Sequence, residues 1–172
     1  MICGTVSTTH RHLHFIDQVI GKKECAKVYA AMNALVLPGR QIFLVDAHVN
    51  VDPTAEELAE ITIMAADELR RFGIEPKIAL LSHSNFGSSN APSAQKMREV
   101  LAILQKRAPH LEVDGEMHGD LGLDANLCRE ALVDSTLEGD ANLLVQPNIN
   151  AANISYNLLK TAAGNYIATT PT

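Results

Sequence analysis

The 172 residues of this chain are enough for one domain with its own apolar core, and the composition, 47% apolar and 20% charged, is that of a globular protein. No apolar run is long enough to span a membrane, and a formal charge of -6 with no cluster of Lys or Arg disfavours nucleic acids and anionic membranes as partners. Aromatic residues make up only 4%, which also argues against a surface that stacks on bases.

The cysteines and the two ends of the chain lead to two further expectations. The three cysteines are odd in number and lack CxxC spacing, and with no signal-peptide pattern they predict the reducing environment of the cytoplasm. Apolar residues stand at the very start, and Tyr166-Ile167 resembles the beginning of a strand close to the end. We therefore expect residues 1–172 to be a single domain taken from a larger chain.

The first predicted element is a helix over residues 10–20. Hydroxyl side chains at 7–9 can cap it, an apolar stripe at spacings of three and four defines one face, and Gly21 would end it. The stripe consists of Leu13, Ile16 and Ile20. His10 and His14 lie one helical turn apart, so they are either two ligands of a metal ion or solvent-facing side chains, and no third ligand is evident.

A hairpin follows, with strands over 28–37 and 41–45 joined by Pro38-Gly39-Arg40. The second strand runs into three polar residues that would share one face if the chain stays extended. They are Asp46, His48 and Asn50. Such a triplet either forms the rim of a site or ties down the loop through its carboxylate and amide, and the sequence leaves both interpretations open.

Residues 52–57 form a strong helix start. Pro53 suits the first turn, and Thr54 with Glu57 can form a capping box. The apolar stripe continues to a last turn that contains two arginines, which interact favourably with the negative end of the helix dipole. Gly73 would then stop the helix.

The central feature of the sequence is an apolar strand over 78–81 that runs into a long polar turn and then, at Pro92, into a helix over 93–107. The polar residues of the turn are Ser82, His83, Ser84, Asn85, Gly87, Ser88 and Ser89. Backbone N–H groups and the helix dipole at such a junction favour an anion, so a phosphate or the diphosphate of an acyl-CoA is one predicted guest. The alternative is that these side chains only form turns and caps by local hydrogen bonds.

A second polar cluster follows this helix, in a strand predicted from Leu111 onwards. Its polar residues alternate, so an extended chain would place all of them on one side. They are Asp114, Glu116, His118 and Asp120. Carboxylates and an imidazole together suit a divalent metal or acid-base work, but bends at Gly115 and Gly119 would scatter the group, and we assign no metal to it.

The last part of the chain is predicted to contain a short helix over 125–133, an apolar strand over 141–145 and a helix that ends at Gly164. Asparagine is a poor helix former, so its density at the last strand-to-helix junction predicts caps or ligand contacts. The asparagines are Asn148, Asn150 and Asn153. Three strands thus end in polar clusters, and in an open α/β sheet such ends line the edge where ligands bind.

Four segments resemble the phosphate acetyl/butyryltransferase family in their order and spacing. They are Phe43–Leu58, Ala79–Ser89, Val113–Asp120 and Pro147–Tyr156. Three shorter segments are similar to the phosphotransacetylase-like C-terminal region of large bacterial NADP-dependent malic enzymes, namely His83–Phe86, Met117–Gly119 and Asn153–Lys160. The resemblance covers nearly the whole chain.

The resemblance implies a three-layer α/β/α fold of the isocitrate/isopropylmalate dehydrogenase-like kind, in which two subdomains enclose a cleft for acyl-CoA and phosphate. This chain would be mostly the second subdomain, with a mixed sheet, and would contribute to a homo-oligomer, a dimer or higher. The resemblance also places six residues in or near the cleft: Ser82, Ser84, Gly87, Ser88, Asp46 and Asn50. The predicted set of ligand-binding residues is completed by further polar residues at the strand ends, namely His83, Asn85, Ser89, Glu116, His118, Asp120, Asn148, Asn150 and Asn153.

Departures from the family pattern argue against catalysis by this segment alone. A Ser-Arg pair and an Asp that follow in true transacetylases are not present, Asn85 stands where Thr is usual, and residues 165–172 do not follow the pattern. Phosphate attack on a thioester needs the missing positive groups for transition-state stabilisation. We therefore assign no catalytic residue and no resident cofactor here, and expect acetyl-CoA or another phosphate-bearing small molecule as the ligand.

The favoured hypothesis is that this region regulates and oligomerises an NADP-dependent malic enzyme. The parent chain would oxidise and decarboxylate malate to pyruvate with NADP and Mg²⁺ or Mn²⁺. A working phosphate acetyltransferase, which moves acetyl between CoA and phosphate, is the first alternative. A dimerisation scaffold without catalysis is the second.

Overall fold

The computed structural model of the protein describes residues 6–23 and 26–163, and residues 168–169 for the backbone alone. This part of the chain contains helices on both sides of one sheet. The helices are α1 (Thr9–Val19), α2 (Ala55–Arg71), α3 (Pro92–Arg107), α4 (Gly119–Leu123), α5 (Ala125–Ala131) and α6 (Ile149–Ala162). The strands are β1 (Met32–Leu37), β2 (Arg40–Val45), β3 (Lys77–Leu81), β4 (Glu112–Met117), β5 (Leu143–Val145) and β6 (Ala168–Thr169).

The sheet is mixed, as predicted, with the strand order β4-β3-β5-β2-β1-β6. Strands β4, β3, β5 and β2 are parallel to one another, whereas β1 pairs antiparallel with both β2 and β6. The carboxyl ends of the four parallel strands therefore lie along one edge of the sheet. In an open α/β sheet this is the edge at which ligands bind.

Two apolar clusters, one on each face of the sheet, make up the core. On one face α2 and α3 pack through Leu58, Ile61 and Met97 against the strands. On the other face Leu121 of α4, Cys128 of α5 and Leu159 of α6 belong to the second cluster. The protein therefore has the predicted α/β architecture with helices on both faces, and the finer isocitrate/isopropylmalate dehydrogenase-like assignment stays a prediction.

Local sequence signals account for the long helices. Thr54 and Glu57 form the predicted capping box before α2, and Gly73 follows that helix with φ of +75°. Helix α3 begins at Pro92, whose missing N–H is unneeded in a first turn. The hairpin of β1 and β2 is also confirmed, but its first strand was predicted too long. It begins at Met32, and Lys27 N, before the predicted strand, donates to Glu60 Oε1 of α2 at 2.5 Å.

Helix α1 is confirmed, and its apolar stripe is not a buried face. Thr8 caps the helix, and none of its residues is buried; Ile20, just beyond it, is 64% exposed. A periodic stripe of apolar residues identifies the apolar side of a helix, but it does not determine what packs against that side. The Tyr29 hydroxyl ties the helix to the rest of the chain by donating to Asp17 Oδ1 at 2.6 Å, which raises the pKa of Tyr29 to about 12.

Two of the three histidines of α1, His10 and His14, are exposed. Within the described ranges, no group of three or more His, Cys, Asp or Glu side chains is arranged to hold a metal ion. Their placement matches the interpretation of solvent-facing side chains.

The predicted helix over 125–133 is confirmed as α5, which ends two residues earlier, at Ala131, but the short helix α4 that precedes it was missed. Helix α4 contains Gly119 and Gly122, which are poor helix formers, so its sequence carries no strong helical signal. A Cβ at Gly122 would lie 2.9 Å from Ala79 Cβ, which shows how closely α4 packs on β3. The strand predicted at Tyr166-Ile167 lies outside the described residues, directly before β6.

None of the helices that the structure describes is both long enough and apolar enough to cross a membrane.

Candidate functional site

The polar segments predicted from the sequence all follow strands whose carboxyl ends lie at one edge of the sheet. Residues 46–50 follow β2, residues 82–89 follow β3, residues 118–120 follow β4 and residues 146–150 follow β5. Hydrogen bonds join them in two groups. The turn after β3 is bonded to the end of β4, and the loop after β2 is bonded to the start of α6 after β5.

The first group brings the polar turn of residues 82–89 against the end of β4. Phe86 N donates to Glu116 O at 2.8 Å, and His118 N donates to Asn85 Oδ1 at 2.7 Å. His118 Nε2 lies 3.0 Å from His83 O, which makes it a donor to that carbonyl. Two predicted clusters that are separate in the sequence therefore form one surface.

Glu116 lies beneath this surface and is fully buried. Its Oε1 accepts from Ser84 Oγ at 2.7 Å, Gly87 N at 2.9 Å and Arg98 Nη1 at 2.7 Å. Burial by itself would raise the pKa of Glu116, but the bonds from Ser84, the Gly87 amide and Arg98 outweigh it and hold the pKa below its usual range. A charged carboxylate therefore forms the floor of the turn.

The backbone N–H groups of the turn are occupied within the chain. The prediction that they would be available to an anion does not hold in this conformation, because each amide from Ser84 to Ser89 has an internal acceptor. The pairs are Ser84 N to Ser82 Oγ, Asn85 N to Ser88 Oγ, Phe86 N to Glu116 O, Gly87 N to Glu116 Oε1, Ser88 N to Asn85 O and Ser89 N to Ser84 Oγ. Local capping explains four of them, and Glu116 the other two.

Side chains rather than amides face solvent on this surface. His83, Ser88 and His118 are exposed, whereas Ser82, Asn85 and Ser89 are half-buried. Arg98 of α3 joins them with its side chain 31% exposed. The sequence did not single out Arg98, because it lies between Met97 and Val100 of the apolar stripe of α3 and carries no motif of its own. The surface thus offers imidazoles, hydroxyls and one guanidinium, which suits an anionic ligand.

His83 and Ser89 form a pair with the spacing of a nucleophile and its base, since His83 Nε2 lies 3.1 Å from Ser89 Oγ. Acyl transfer also needs donors that stabilise the developing oxyanion. The amides that could do so in this turn already have acceptors. The arrangement therefore favours binding over acyl transfer by this segment alone.

The second group of polar residues stabilises loops. Asp46 is 3% exposed and accepts from the backbone N–H groups of His48, Val49 and Asn50 at 3.0 to 3.1 Å, and from Asn50 Nδ2 at 2.6 Å. This is the loop-tying role that the sequence left open beside a site rim. Asn50 Nδ2 also donates to Tyr29 O at 2.7 Å.

The asparagines of α6 have mixed placements. Asn148 is the N-cap of α6 and accepts from Ala151 N at 3.0 Å, which is the predicted capping role. Asn153 Nδ2 donates to Ala47 O at 3.2 Å and joins α6 to the loop after β2. Asn150 is exposed at the edge of the sheet.

The polar residues Asp114, Glu116, His118 and Asp120 do not lie on one side of β4, which agrees with the predicted scattering of this group. Leu80 is paired with Gly115 and Leu81 with Met117, so Glu116 is the extra residue of a β-bulge and the alternation is interrupted. Asp114 instead accepts from Thr136 N at 2.6 Å on the opposite face, while Asp120 is exposed at the start of α4. These carboxylates do not form one acid-base or metal-binding group.

Two cavities are lined by residues other than those of this surface. One of about 540 Å³ lies beside α2 and the end of β2, and includes Val28, Ile61 and Met64. The other, of about 470 Å³, lies near the hairpin turn and includes Arg40 and Asn142. The candidate site is therefore an open surface at the carboxyl ends of the strands, distinct from both cavities.

Acid is expected to weaken the fold in a way that depends on Glu116. Because the folded state lowers the pKa of this carboxyl, its contribution to stability is complete above the pKa of the unfolded chain and is lost as pH falls through the folded-state pKa. Urea unfolding midpoints measured from about pH 6 to about pH 3 should therefore fall less steeply for Glu116→Gln than for the wild type. Equal acid slopes for the two proteins would contradict this assignment.

Comparison with known proteins gives the ancestry of this arrangement. The family described as Phosphate acetyl/butaryl transferase matches residues 1–171. The NADP-dependent malic enzyme of Escherichia coli is 52% identical over 171 residues, which are 99% of this chain and 22% of that protein. The enzyme of the same name from Haemophilus influenzae is 56% identical over 160 residues, which are 93% of this chain and 21% of that protein.

Among solved structures, a phosphotransacetylase from Streptococcus pyogenes superimposes with a TM-score of 0.86 at 31% identity, covering 92% of this chain and 49% of that one. The chain spans about a fifth of the length of the malic enzymes it matches and about half of this phosphotransacetylase. The match to the malic enzymes lies in a region that the family shares with phosphotransacetylases. On its sequence and its fold alike, this chain belongs to the phosphate acetyl/butaryl transferase family.

Proposed function

We propose that this chain is an acyl-CoA-binding, regulatory and oligomerising region of an NADP-dependent malic enzyme. The observation that carries the proposal is the difference in identity: 52% over 99% of the chain with the Escherichia coli malic enzyme, against 31% with the phosphotransacetylase from Streptococcus pyogenes. The surface formed by the turn and the end of β4 supports a binding role, because its exposed side chains suit an anion. Its amides already have acceptors, which weighs against acyl transfer.

The parent protein would carry out the redox chemistry in regions outside this chain. It would oxidise malate with NADP and decarboxylate the product to pyruvate, with Mg²⁺ or Mn²⁺ as Lewis acid. Acetyl-CoA is the proposed ligand of this region, with its phosphates near His83, His118 and Arg98. We also propose a cytoplasmic location, which suits a buried free thiol such as Cys128.

The test is the effect of acetyl-CoA on the complete malic enzyme. Malate-dependent reduction of NADP is measured while acetyl-CoA is titrated, and acetyl-CoA binding is measured by calorimetry on the same preparation. We expect saturable binding together with a change in rate, since a regulatory ligand must bind the states of the enzyme with different affinity. No binding and no change in rate would contradict the proposal.

A phosphate acetyltransferase is the second candidate, and the TM-score of 0.86 with a phosphotransacetylase favours it. This activity predicts that the complete protein forms acetyl phosphate from acetyl-CoA and inorganic phosphate. The occupied amides of the turn weigh against it, because they leave no free backbone donor for an oxyanion among residues 84–89. A clean preparation that forms no acetyl phosphate would remove this candidate.

A dimerisation scaffold is the third candidate. Ile154 and Leu158 are 59% and 65% exposed and lie one turn apart on α6, which gives that helix an apolar outer face. Such a face is suited to self-association. Sedimentation of the complete protein as a monomer would exclude both this candidate and the oligomerising part of the preferred proposal.

A further inference from the structure

We propose that Glu116 and Arg98 are a positioning pair for the ligand surface. Glu116 would act as an internal anion that sets the shape of the polar turn, and Arg98 would cancel its charge so that an anionic ligand can approach. This inference rests on the proposed function, because it concerns the phosphate-bearing ligand of that same surface. Neither residue would carry out chemistry.

The carboxylate of Glu116 joins three separate elements of the fold. It comes from β4, accepts from Ser84 and Gly87 of the turn after β3, and is bonded to Arg98 of α3. Arg98 Nη1 also donates to Ser89 O at 3.0 Å, so it ties α3 to the far end of the turn. Glu116 Oε1 thus holds the start and the middle of residues 84–89 directly, and the end through Arg98.

The exposed groups of the surface depend on this framework. Ser84 Oγ donates to Glu116 and lies 3.1 Å from Ser88 Oγ, so the exposed hydroxyl is one bond removed from the buried carboxylate. His83 is linked to Ser89 Oγ, and Ser89 N donates to Ser84 Oγ. A change at Glu116 would therefore shift both His83 and Ser88, and displacements of this kind weaken binding because ligand groups no longer meet their partners.

The charge of Glu116 also affects how an anionic ligand can bind. Glu116 is fully buried and ionised, and its Oε2 has no hydrogen-bond partner in the part of the chain that the structure describes. Arg98, at 2.7 Å from Oε1, is the cation that neutralises it. Without Arg98 a bare negative charge would lie beneath the surface and would repel phosphate groups. The low dielectric of the interior makes such a repulsion stronger than it would be in water.

The experiment uses the complete malic enzyme and acetyl-CoA, with binding measured by calorimetry at low and at high salt and folding checked by thermal unfolding. Arg98→Met is expected to weaken the binding of acetyl-CoA by about tenfold or more. Added salt should reduce the difference in affinity between this variant and the wild type. Arg98→Lys keeps the positive charge and should lose much less affinity than Arg98→Met. Adding Glu116→Gln to Arg98→Met removes the uncompensated charge and should recover part of the affinity, a rescue that a merely structural role would not produce.

Arg107→Met is the matched control. Arg107 is another arginine of α3, paired at 3.5 Å with Glu56, whose side chain is 72% exposed, and its removal should leave binding unchanged. If Arg98→Met and Arg107→Met bind acetyl-CoA with the same affinity, the inference about Arg98 and Glu116 is overturned, whereas the proposed function is not. A wild-type enzyme that does not bind acetyl-CoA would overturn the proposed function and the inference with it. Should Arg98→Met fail to fold, Arg98→Gln takes its place with the same two expectations.

Discussion

Gly115→Ala is expected to destabilise the protein by about 3 kcal/mol or more, which lowers the melting temperature of a domain of this size by roughly 10 °C. A Cβ at this position would lie 2.7 Å from Leu80 O and 2.8 Å from Leu80 Cβ, so β3 and β4 would have to separate. The residue also has φ of +140°, a conformation that side chains disfavour. Thermal unfolding followed by circular dichroism measures the effect.

Gly119→Ala is the control for that change, four residues further along the chain. A Cβ there would meet its nearest neighbour, Leu81 Cδ1, at an ordinary 3.8 Å, and the position opens helix α4. Alanine is favoured over glycine in helices by up to about 1 kcal/mol, so this variant should be neutral or slightly more stable. If both variants melted at the same temperature, the close approach of Gly115 to Leu80 would be refuted.

Asp46→Ala is expected to cost about 3 to 4 kcal/mol, because a buried carboxylate that accepts several hydrogen bonds would leave its donors unpaired. Three of those donors are backbone N–H groups of the loop after β2, and the fourth is Asn50 Nδ2. Loss of the carboxylate would also release Asn50 from its bond to Tyr29 O. The free energy of unfolding, measured in urea, should show the effect directly.

Asp134→Ala serves as the matched control for Asp46→Ala, since Asp134 is an exposed aspartate. Its removal should change stability by no more than about 0.5 kcal/mol. Asp46→Asn keeps one acceptor oxygen, so its free energy of unfolding should lie between those of the two alanine variants. A free energy of unfolding for Asp46→Ala equal to that of Asp134→Ala would show that Asp46 does not hold the loop.

Much of the fold could be predicted because the signals are local. The capping box of Thr54 and Glu57, the hairpin turn at Pro38-Gly39 and the start of α3 at Pro92 each depend on residues within about four positions of one another. Apolar periodicity then gave the helices and the parallel strands. Helix α4 was missed because its two glycines carry no helical signal, and only its packing on β3 stabilises it.

The candidate site was predictable in part. That polar clusters follow β2, β3, β4 and β5 was visible in the sequence, and the parallel order of those strands brings them to one edge. The prediction that the amides of residues 84–89 are available to an anion was wrong. Local capping, the stated alternative, accounts for four of these amides, but the other two donate to Glu116, which lies 29 residues from Gly87 in the chain. Arg98 was missed for the same reason, since its partners Ser89 and Glu116 come from two other segments.

The sequence by itself determined the type and order of the long helices and of the parallel strands, that the sheet is covered on both faces, and which polar residues follow the strands. Only the tertiary structure decided which of those residues are framework and which meet solvent. The physical reason is the distance along the chain between interacting residues. A cap or a turn depends on residues close in sequence. A buried carboxylate such as Glu116 or Asp46 accepts from the donors that the order of the strands brings near it.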